Sequence, residues 1–420
     1  MRYYLIFSLI FILIFLIIFV IFLLPEKEIR IEVGQKFSDK NLLASSFSFL
    51  PSQQNFCSPQ IEFLEEDDKK FCFKKPKLKE KRGIEVDLTN KKVLLYDEGK
   101  LIKILPLLYQ APEGQWFQSP TGYLRVGIKK EKHLSSLFPV IMPYSIQIYE
   151  DFFMHGIPYY PDGRRVNSDF TGGCLRFEDE IAKEIYQFAK PGDQVIVYKT
   201  FDDLEIKSEF HPPVDYKNYW IRQRFNNPFR KTRKYSGTEN LKFDYYQHAG
   251  VDLAPNPETE NLSVYAIFDG KVVKIQLNDG KDHGLGNTII IEHQINNEKI
   301  YSLYAHLSSI ENNIKEGETV KKGEIIGKVG NSGYGCQNYW KVGPDGCDNN
   351  LAPDIHLHFE LKKAPVLENP FGGKACQRQD GEPNFCYGYT PDYPQKYGYL
   401  DPINFLFEKS NKNISTNLNR

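Results

Sequence analysis

Three short histidine motifs, widely spaced along the chain, constrain its fold more than any other feature. The first, HAGVDL, carries His248 and Asp252, the second, YAHL, carries His306, and the third, IHLHFEL, carries His356 and His358. In an extended strand alternate side chains share a face, so the polar groups of each motif lie on one side of its strand. A chain that gathers these groups in one place must lay the strands side by side, which favours a β-rich domain.

Gathered together, the motifs supply the ligands of a metal site. A catalytic zinc ion takes three protein ligands from histidine and carboxylate side chains and keeps one position open. Any one of these histidines alone could be an ordinary core or surface residue held by a hydrogen bond. The three motifs together offer four histidines and one aspartate, which can meet this need, and so they predict a single catalytic Zn²⁺.

The same motifs resemble those of the lysostaphin/LytM-type zinc endopeptidases of peptidoglycan, over roughly residues 218–408. The resemblance implies a β-rich domain of the duplicated hybrid motif type that binds one Zn²⁺. It also assigns roles to five positions: His248, Asp252 and His358 as zinc ligands, and His306 and His356 as catalytic histidines. The insertion from Tyr334 to Asp354 departs from the family pattern, and we expect it to border the cleft.

A second constellation is centred on the cysteine of the segment FTGGCLR. A cysteine nucleophile needs a base or a cation that lowers the pKa of its thiol, and glycines before it let backbone N–H groups approach a developing oxyanion. Cys174 follows two glycines and precedes Arg176, and His155 lies upstream in the segment MHG. These residues predict a thiol catalyst, with a buried structural thiol as the alternative.

Residues 83–199 are similar to the YkuD-type L,D-transpeptidase domain, whose signature runs HG and then Ser/Thr-x-Gly-Cys-x-Arg/Asn. The resemblance implies that Cys174 is the nucleophile and His155 its base. It places four residues around the substrate and the oxyanion: Thr171, Gly172, Gly173 and Arg176. The segment SPTGY likewise resembles the family's TPxGxF element. Gly172 is a departure, because the family most often has a second histidine there, so a degenerate wall-binding domain is the alternative to catalysis.

The chain of 420 residues is longer than one hydrophobic core usually supports, which predicts two folded domains. Short apolar runs between turn residues predict that both are mostly β, the first being a YkuD-like sandwich or barrel with a helix at about 178–190. We expect six segments: a transmembrane anchor at 1–25, a polar juxtamembrane stalk at 26–82, the transpeptidase domain at 83–199, a linker at 200–217, the zinc endopeptidase domain at 218–408 and a polar tail at 409–420.

The run from Leu5 to Leu24 carries no charge, and about 20 helical residues span the hydrocarbon core of a bilayer. Its length favours an uncleaved transmembrane helix over a signal peptide, and so does the charged segment that follows Pro25 without a small-residue cleavage site. The flanking charges do not decide its orientation.

The cysteines indicate the compartment, because six of the seven fall into close pairs. Close pairs suit disulfide-closed loops, which persist in an oxidising environment. Sequential pairing, one of several pairings that six cysteines allow, gives three bridges: Cys57–Cys72, Cys336–Cys347 and Cys376–Cys386. We therefore expect a cell-membrane protein with both catalytic domains outside the cytoplasm.

The charge balance excludes a general electrostatic attraction to nucleic acid, since 53 basic and 54 acidic side chains leave a net charge of -1. The expected partners are peptidoglycan stem peptides, the membrane through residues 5–24, and proteins of cell-wall synthesis or division. We expect the second domain to cut peptide cross-links and the first to form 3-3 cross-links through an acyl-enzyme. The alternatives are L,D-carboxypeptidase activity in the first domain, or a non-catalytic wall-binding scaffold that regulates another hydrolase.

Overall fold

The computed structural model of the protein describes residues 57, 64–114, 118–230, 245–278, 284–336, 347, 351–364, 388–390 and 393–410. All of them lie in one compact unit, Gln53–Arg420. Within these residues, no helix is both long enough and apolar enough to cross a bilayer. The predicted anchor at 5–24, the bridge Cys376–Cys386 and most of the polar tail lie outside the described residues.

The first domain consists of short strands separated by turns, as its alternation of apolar runs and turn residues predicts. Its helices and strands are α1 (Glu66–Cys72), β1 (Gly83–Asp87), β2 (Lys92–Asp97), β3 (Lys100–Pro106), β4 (Gly122–Arg125), β5 (Lys129–Leu134), β6 (Ile141–Tyr149), β7 (Phe152–His155), β8 (Leu175–Arg176), α2 (Asp179–Phe188) and β9 (Gln194–Tyr198). One sheet has the order β3-β2-β1-β9-β4 and the other the order β5-β6-β7-β8. Most pairs are antiparallel, but β1 with β9 and β7 with β8 are parallel.

The core of this domain includes Val86 of β1, Phe152 and Met154 of β7, and Ile185 of α2. The helix α2 lies within the range predicted for it, and its apolar face packs against β6 and β7. Acidic residues occupy its first turn, where they interact favourably with the helix dipole.

The end of the predicted stalk is folded, which corrects the expectation of a solvated segment up to residue 82. The helix α1 is tied to Cys57 by a disulfide from Cys72. Phe71 of this helix and Leu78 are buried in a cluster with Tyr198 of β9. Single apolar residues among many lysines anchor this segment, so its average composition gave no sign of the packing.

The second domain is also mostly β, as predicted. Its elements are a 3-10 helix (Tyr216–Asn218), β11 (Tyr219–Gln223), β12 (Pro228–Arg230), β13 (Tyr245–His248), β14 (Val251–Pro255), β15 (Ser263–Tyr265), β16 (Gly270–Gln276), β17 (Asn287–Ile295), β18 (Glu298–Ile310), β19 (Thr319–Val320), β20 (Ile325–Val329), β21 (Leu357–Lys362), β22 (Tyr389–Thr390), a 3-10 helix (Pro394–Tyr397), β23 (Tyr399–Leu400) and α3 (Pro402–Leu406). The main sheet runs β11-β14-β21-β18-β17-β16-β19, and β12-β13-β22 form a small second sheet.

The segment 200–217, predicted as a linker, is part of the folded second domain. It contains β10 (Leu204–Ile206), which pairs with β24 (Phe407–Lys409) near the end of the described chain. Phe201, Phe210 and Val214 are buried in the core of the second domain. These residues have no periodic spacing because most of the segment is irregular, which explains why the sequence indicated a linker.

Candidate active sites

The main sheet of the second domain brings the three histidine motifs together. β14 and β21 are antiparallel neighbours, with Asp252 opposite His358. β18 lies on the other side of β21, with Ala305 opposite His358. His306 follows Ala305 in β18. His248 ends β13, and two residues separate it from the start of β14, so the HAGVDL motif is divided between two strands and does not form the single strand that was predicted. The registry of three adjacent strands therefore produces the predicted cluster.

His248, Asp252 and His358 are buried and form the only group of potential metal ligands in the described part of the chain. His358 Nδ1 lies 2.9 Å from Asp252 Oδ1 and 3.1 Å from His248 Nε2, and His248 Nε2 lies 3.4 Å from Asp252 Oδ1. Ligand atoms on a tetrahedral ion with bonds of about 2.0 to 2.1 Å are about 3.3 Å apart. Both the spacing and the donor set fit zinc.

Hydrogen bonds fix which nitrogen each ligand histidine offers. His248 Nδ1 lies 3.0 Å from the carbonyl oxygen of Arg224. A carbonyl oxygen can only accept a hydrogen bond, so Nδ1 carries the proton and Nε2 is left for the metal. His358 Nε2 lies 3.0 Å from Glu360 Oε1, so Nδ1 is left for the metal. Partners of this kind orient metal ligands and raise their basicity. The two freed nitrogens are the same two that face each other in the cluster.

The other two predicted histidines lie beside the ligands. The ring centroids of His306 and His356 are 4.6 Å apart, and those of His306 and His358 are 6.1 Å apart. His306 Nδ1 donates to the carbonyl oxygen of Ser332 at 2.8 Å, and His356 Nδ1 donates to that of Asp354 at 2.7 Å. Each ring therefore keeps its proton on Nδ1, which leaves Nε2 of His306 as a proton acceptor and Nε2 of His356 as an acceptor for Arg222.

Arg222 and Asp354 complete the site, and the sequence motifs did not indicate either of them. Arg222 is buried in β11 and donates from Nη2 to Asp252 Oδ2 at 2.5 Å. The same nitrogen lies 3.2 Å from His356 Nε2, and Nη1 donates to Asp354. An arginine in a buried strand was the available signal, because such a charge requires acidic partners.

Burial and neighbouring charges act against each other on the ionisable groups here. Burial disfavours the anion of Asp252, but the nearby His248 and Arg222 outweigh it and hold the pKa of this carboxyl well below its usual value. Burial lowers the pKa of His356 to about 4, and Arg222 adds to this effect. Burial also lowers the pKa of His306, with His356 contributing. Both catalytic candidates are therefore neutral at pH 7.

The two ends of the predicted insertion lie next to this site. The ring of Tyr334, the first residue of the insertion, lies so close to Gly284 that a Cβ atom at position 284 would overlap it. Near its end, the backbone N–H of Asp354 donates to Gly335 at 2.8 Å, and Cys336 is joined to Cys347 by a disulfide. The described part of the insertion thus places Asp354 against Arg222, as expected for a segment that borders the cleft.

The second predicted site lies in the first domain, where β7 and β8 run parallel with His155 opposite Arg176. Cys174 immediately precedes β8. Cys174 and His155 both line a cavity of about 270 Å³, together with three of the other predicted residues: Thr171, Gly172 and Arg176. The pairing of two short strands therefore gathers this constellation.

The thiol and the imidazole of this site are both in their neutral forms at pH 7. Burial raises the pKa of Cys174 to about 11, and burial lowers the pKa of His155 to about 4. His155 Nδ1 donates to the carbonyl oxygen of Gly156 at 2.6 Å, which leaves Nε2 as the base. Cys174 Sγ lies 3.9 Å from the carbonyl oxygen of Asp151, and no hydrogen bond joins it to His155 in the described structure.

The loop before Cys174 is held by its own hydrogen bonds. The Arg176 guanidinium donates to the carbonyl oxygens of Ser168 and, at 2.9 Å, Phe170. Thr171 Oγ1 accepts from the N–H of Gly173, which has a φ of 99° that disfavours a side chain. A Cβ on Gly172 would lie 3.4 Å from the ring of Phe138. Phe138 therefore borders the position where a second histidine would stand.

Comparison with known proteins identifies the two domains separately. Residues 81–197 match the YkuD family model, described as the L,D-transpeptidase catalytic domain, and residues 246–370 match the model of peptidase family M23. Stage II sporulation protein Q of Bacillus subtilis (strain 168) is 27% identical over 179 residues, which cover 42% of this chain and 53% of that protein. Glycyl-glycine endopeptidase ALE-1 of Staphylococcus capitis is 33% identical over 152 residues, which cover 36% of this chain and 33% of that protein.

The chain spans about half or less of the length of these curated relatives. The crystal structure of an L,D-transpeptidase (Yku) from Stackebrandtia nassauensis is 21% identical and covers 31% of this chain and 62% of its own, with a TM-score of 0.27. That TM-score is too low to equate the two structures. The family models match the two domains in the order that the motifs predicted. The chain therefore carries a YkuD-type L,D-transpeptidase catalytic domain at residues 81–197, followed by a peptidase family M23 domain at residues 246–370.

Proposed function

We propose that this chain remodels peptidoglycan, with a zinc endopeptidase that cleaves peptide cross-links and a cysteine transpeptidase that forms 3-3 cross-links. The observation that carries the proposal is the buried group of His248, Asp252 and His358, with two neutral histidines beside it. A domain retained only as a scaffold has no need for two histidines and an aspartate in this arrangement, with the free nitrogen of each histidine selected by a hydrogen bond. The complete set favours an enzyme over the regulatory scaffold.

In the endopeptidase site the protein residues position the ion and move protons. Zinc, when bound, lowers the pKa of a coordinated water toward about 7 and polarises the scissile carbonyl. His306 presents Nε2 as an acceptor, so it can take a proton from the attacking water and return one to the leaving amine. His356 can do the same once its Nε2 has left Arg222 Nη2, which lies 3.2 Å away. Arg222 fixes the second oxygen of Asp252 and, together with His248, keeps that carboxylate ionised.

In the transpeptidase site Cys174 and His155 transfer an acyl group. His155 Nε2 takes the thiol proton as Sγ attacks the carbonyl carbon of a tetrapeptide stem, and the C–N bond breaks when that proton passes to the leaving amine. The resulting thioester is attacked by an amine of a neighbouring stem, which loses a proton to His155 while the thiol is regenerated. Attack by water instead would give L,D-carboxypeptidase activity. We assign stabilisation of the oxyanion to the N–H groups of Gly172 and Gly173, of which the second must leave Thr171 Oγ1 to reach it.

We further propose that the apolar run 5–24 anchors the chain in the cell membrane and that both domains work outside the cytoplasm. The disulfides Cys57–Cys72 and Cys336–Cys347 support an oxidising compartment. An anchor would restrict both reactions to wall material close to the membrane. Proteins of cell-wall synthesis or division are the expected neighbours there.

The experiment is mass spectrometry of muropeptides after incubation of the protein with purified peptidoglycan, with and without a zinc chelator. Loss of cross-linked species that the chelator prevents would support the endopeptidase. New 3-3 dimers that form despite the chelator, and that are absent with Cys174→Ala, would support the transpeptidase. If no stem peptide changes while zinc is bound, the scaffold function replaces the proposal.

A wall-binding role for the first domain alone is the second candidate. It is favoured by Gly172 and by the lack of a hydrogen bond between Cys174 and His155 in the described structure. In that case wild-type protein and Cys174→Ala would sediment equally with insoluble peptidoglycan, and neither would produce 3-3 dimers. Formation of such dimers by the wild type alone rejects this candidate.

A further inference from the structure

The two domains are joined by a buried, hydrogen-bonded contact. Lys199, just after β9 of the first domain, exchanges two backbone hydrogen bonds of 3.1 and 2.9 Å with Ile221 of β11 in the second. Trp220, the neighbour of Ile221, packs edge-on against Tyr123 and Tyr198 of the first domain, with ring centroids 6.2 and 5.5 Å away. The strand that carries Arg222 is thus held by the first domain.

A second part of this contact joins the SPTGY segment of the first domain to residues 224–227. The N–H of Thr121 donates to Asn227 Oδ1 at 2.7 Å, and Asn227 Nδ2 donates back to the Thr121 carbonyl at 3.0 Å. Thr121 Oγ1 accepts from the N–H of Arg224 at 3.0 Å, and Gln118 Nε2 donates to the Phe225 carbonyl at 2.7 Å. All these groups are buried, so each lost bond would leave a polar atom without water.

The segment 224–227 in turn holds the ligand His248. Its Arg224 carbonyl selects the tautomer of His248, as described above. The N–H of Asn226 donates to the His248 carbonyl at 2.8 Å, and the N–H of His248 donates to the Asn227 carbonyl at 3.0 Å. Hydrogen bonds therefore run without a break from Thr121 of the first domain to a proposed zinc ligand.

A separate path reaches the ligand Asp252. Lys79, which precedes β1, donates from Nζ to the Pro353 carbonyl at 2.8 Å and lies 3.7 Å from Asp354 Oδ1. Asp354 accepts from Arg222, which donates to Asp252. This path starts from a different part of the first domain and ends on a different ligand.

We propose that the transpeptidase domain is a structural part of the zinc site, so that the zinc affinity of the second domain depends on Thr121 and Lys79 of the first. The inference rests on the proposed zinc function. It makes Thr121 and Lys79 positioning residues, since neither touches the ligands directly. If the domains were merely tethered, loss of these contacts would change the stability of the junction and leave the affinity of a folded site for zinc unchanged.

The test is a zinc titration of the full-length protein against a competing chromophoric chelator, with Thr121→Val and Lys79→Met. Loss of a partner that orients a metal ligand typically weakens metal binding about 10- to 100-fold. Because Thr121 acts through one further residue, we expect a dissociation constant about tenfold higher for Thr121→Val. A smaller increase is expected for Lys79→Met, because Asp354 keeps its bond to Arg222.

The matched control is Thr89→Val, whose hydroxyl bonds to the backbone of Thr200 and lies on neither of the two paths to the ligands. It removes the same atom and should leave zinc affinity unchanged. The alkylation rate of Cys174 checks that the first domain is folded in every variant. Lys79 is partly exposed, so Lys79→Met gives an answer even if Thr121→Val fails to fold.

The outcomes separate the inference from the proposed function. Weaker zinc binding by either variant, with the control and the Cys174 rate unchanged, supports the inference. If both variants and Thr89→Val bind zinc as tightly as the wild type, the inference is overturned and the proposed zinc endopeptidase is unaffected. Absence of zinc binding by the wild type overturns the proposed zinc site and this inference with it.

Discussion

The guanidinium of Arg222 donates to Oδ2 of Asp252 at 2.5 Å, while Oδ1 of the same carboxylate faces the two histidines of the ligand cluster. One oxygen is thus held by a fixed cation and the other is directed at the metal position. The same guanidinium also binds Asp354. Two buried carboxylates therefore share one arginine, which acts beside His248 on Asp252 and beside Lys79 on Asp354. Arg222 thus supports both the stability and the geometry of this site.

Replacement Arg222→Met should strongly destabilise the second domain. Breaking a buried ion pair from one side typically costs about 3 to 5 kcal/mol, because the remaining charge is left buried without compensation. Here two carboxylates lose their partner. We expect a loss of that size in the free energy of unfolding, measured by urea denaturation in the presence of a chelator.

Arg125→Met is the control for this loss. Arg125 pairs with Glu80 at 2.7 Å, but both side chains are more than 40% exposed. Exposed pairs contribute about 0 to 1 kcal/mol. If Arg222→Met lowers the free energy of unfolding no more than Arg125→Met does, Arg222 does not stabilise the buried carboxylates.

Metal content should distinguish the ligands from the catalytic histidines. His358→Ala removes one of the three proposed ligands, so we expect the purified variant to retain no zinc after dialysis. His306→Ala should keep about one zinc per chain, because its ring binds Ser332 and lies outside the ligand cluster, yet lose cleavage of cross-links. Elemental analysis after dialysis measures the first effect, and muropeptide analysis the second.

The matched control for both variants is His293→Ala, a buried histidine of β17 that bonds to Ser302 and Asp269 away from the site. The folded fraction of His293→Ala should bind zinc and cleave cross-links as the wild type does. Equal zinc retention by His358→Ala and His306→Ala would contradict the assignment of His358 as a ligand.

The sequence predicted which residues would come together, but not how the chain brings them together. We expected HAGVDL to be one strand with His248 and Asp252 on one face, whereas β13 ends at His248 and β14 begins at Val251. His356 likewise lies just before the start of β21. The structure places His248, Asp252 and His358 as one cluster. The choice of these three residues came from the family resemblance and not from strand alternation.

Arg222 and the contact of the two domains could not be predicted in this way. Arg222 meets Asp354 across 132 residues, and the choice of partner depends on where the insertion ends in space. In the sequence Thr121 and Asn227 resemble ordinary turn residues, but in the structure they are buried and hydrogen-bonded to each other. Such contacts follow from tertiary packing, which periodicity and composition do not encode.

The thiol of Cys174 should react slowly at neutral pH. Its pKa of about 11 leaves about one molecule in ten thousand as thiolate at pH 7, and only the thiolate is alkylated. We expect the rate of modification by iodoacetamide to rise about tenfold per pH unit from 7 to 10. Peptide mass spectrometry follows Cys174 specifically, and the chain unfolded in urea, with an ordinary thiol pKa of about 8.5, gives the reference curve. A rate that levels off below pH 8 would instead indicate a thiolate–imidazolium pair.

His155 should make the first domain sensitive to acid. Its pKa is lowered by burial from 6.5 to about 4, so between these values the unfolded chain takes up a proton that the folded chain does not. Stability is therefore fully present above pH 6.5 and is lost as the pH falls toward 4, by about 3 kcal/mol for a shift of this size. His155→Gln lacks this titration, so its free energy of unfolding should fall about 3 kcal/mol less between pH 7 and pH 4 than that of the wild type. Parallel pH curves for the wild type and His155→Gln would show that His155 accepts its proton in the folded state as readily as in the unfolded one.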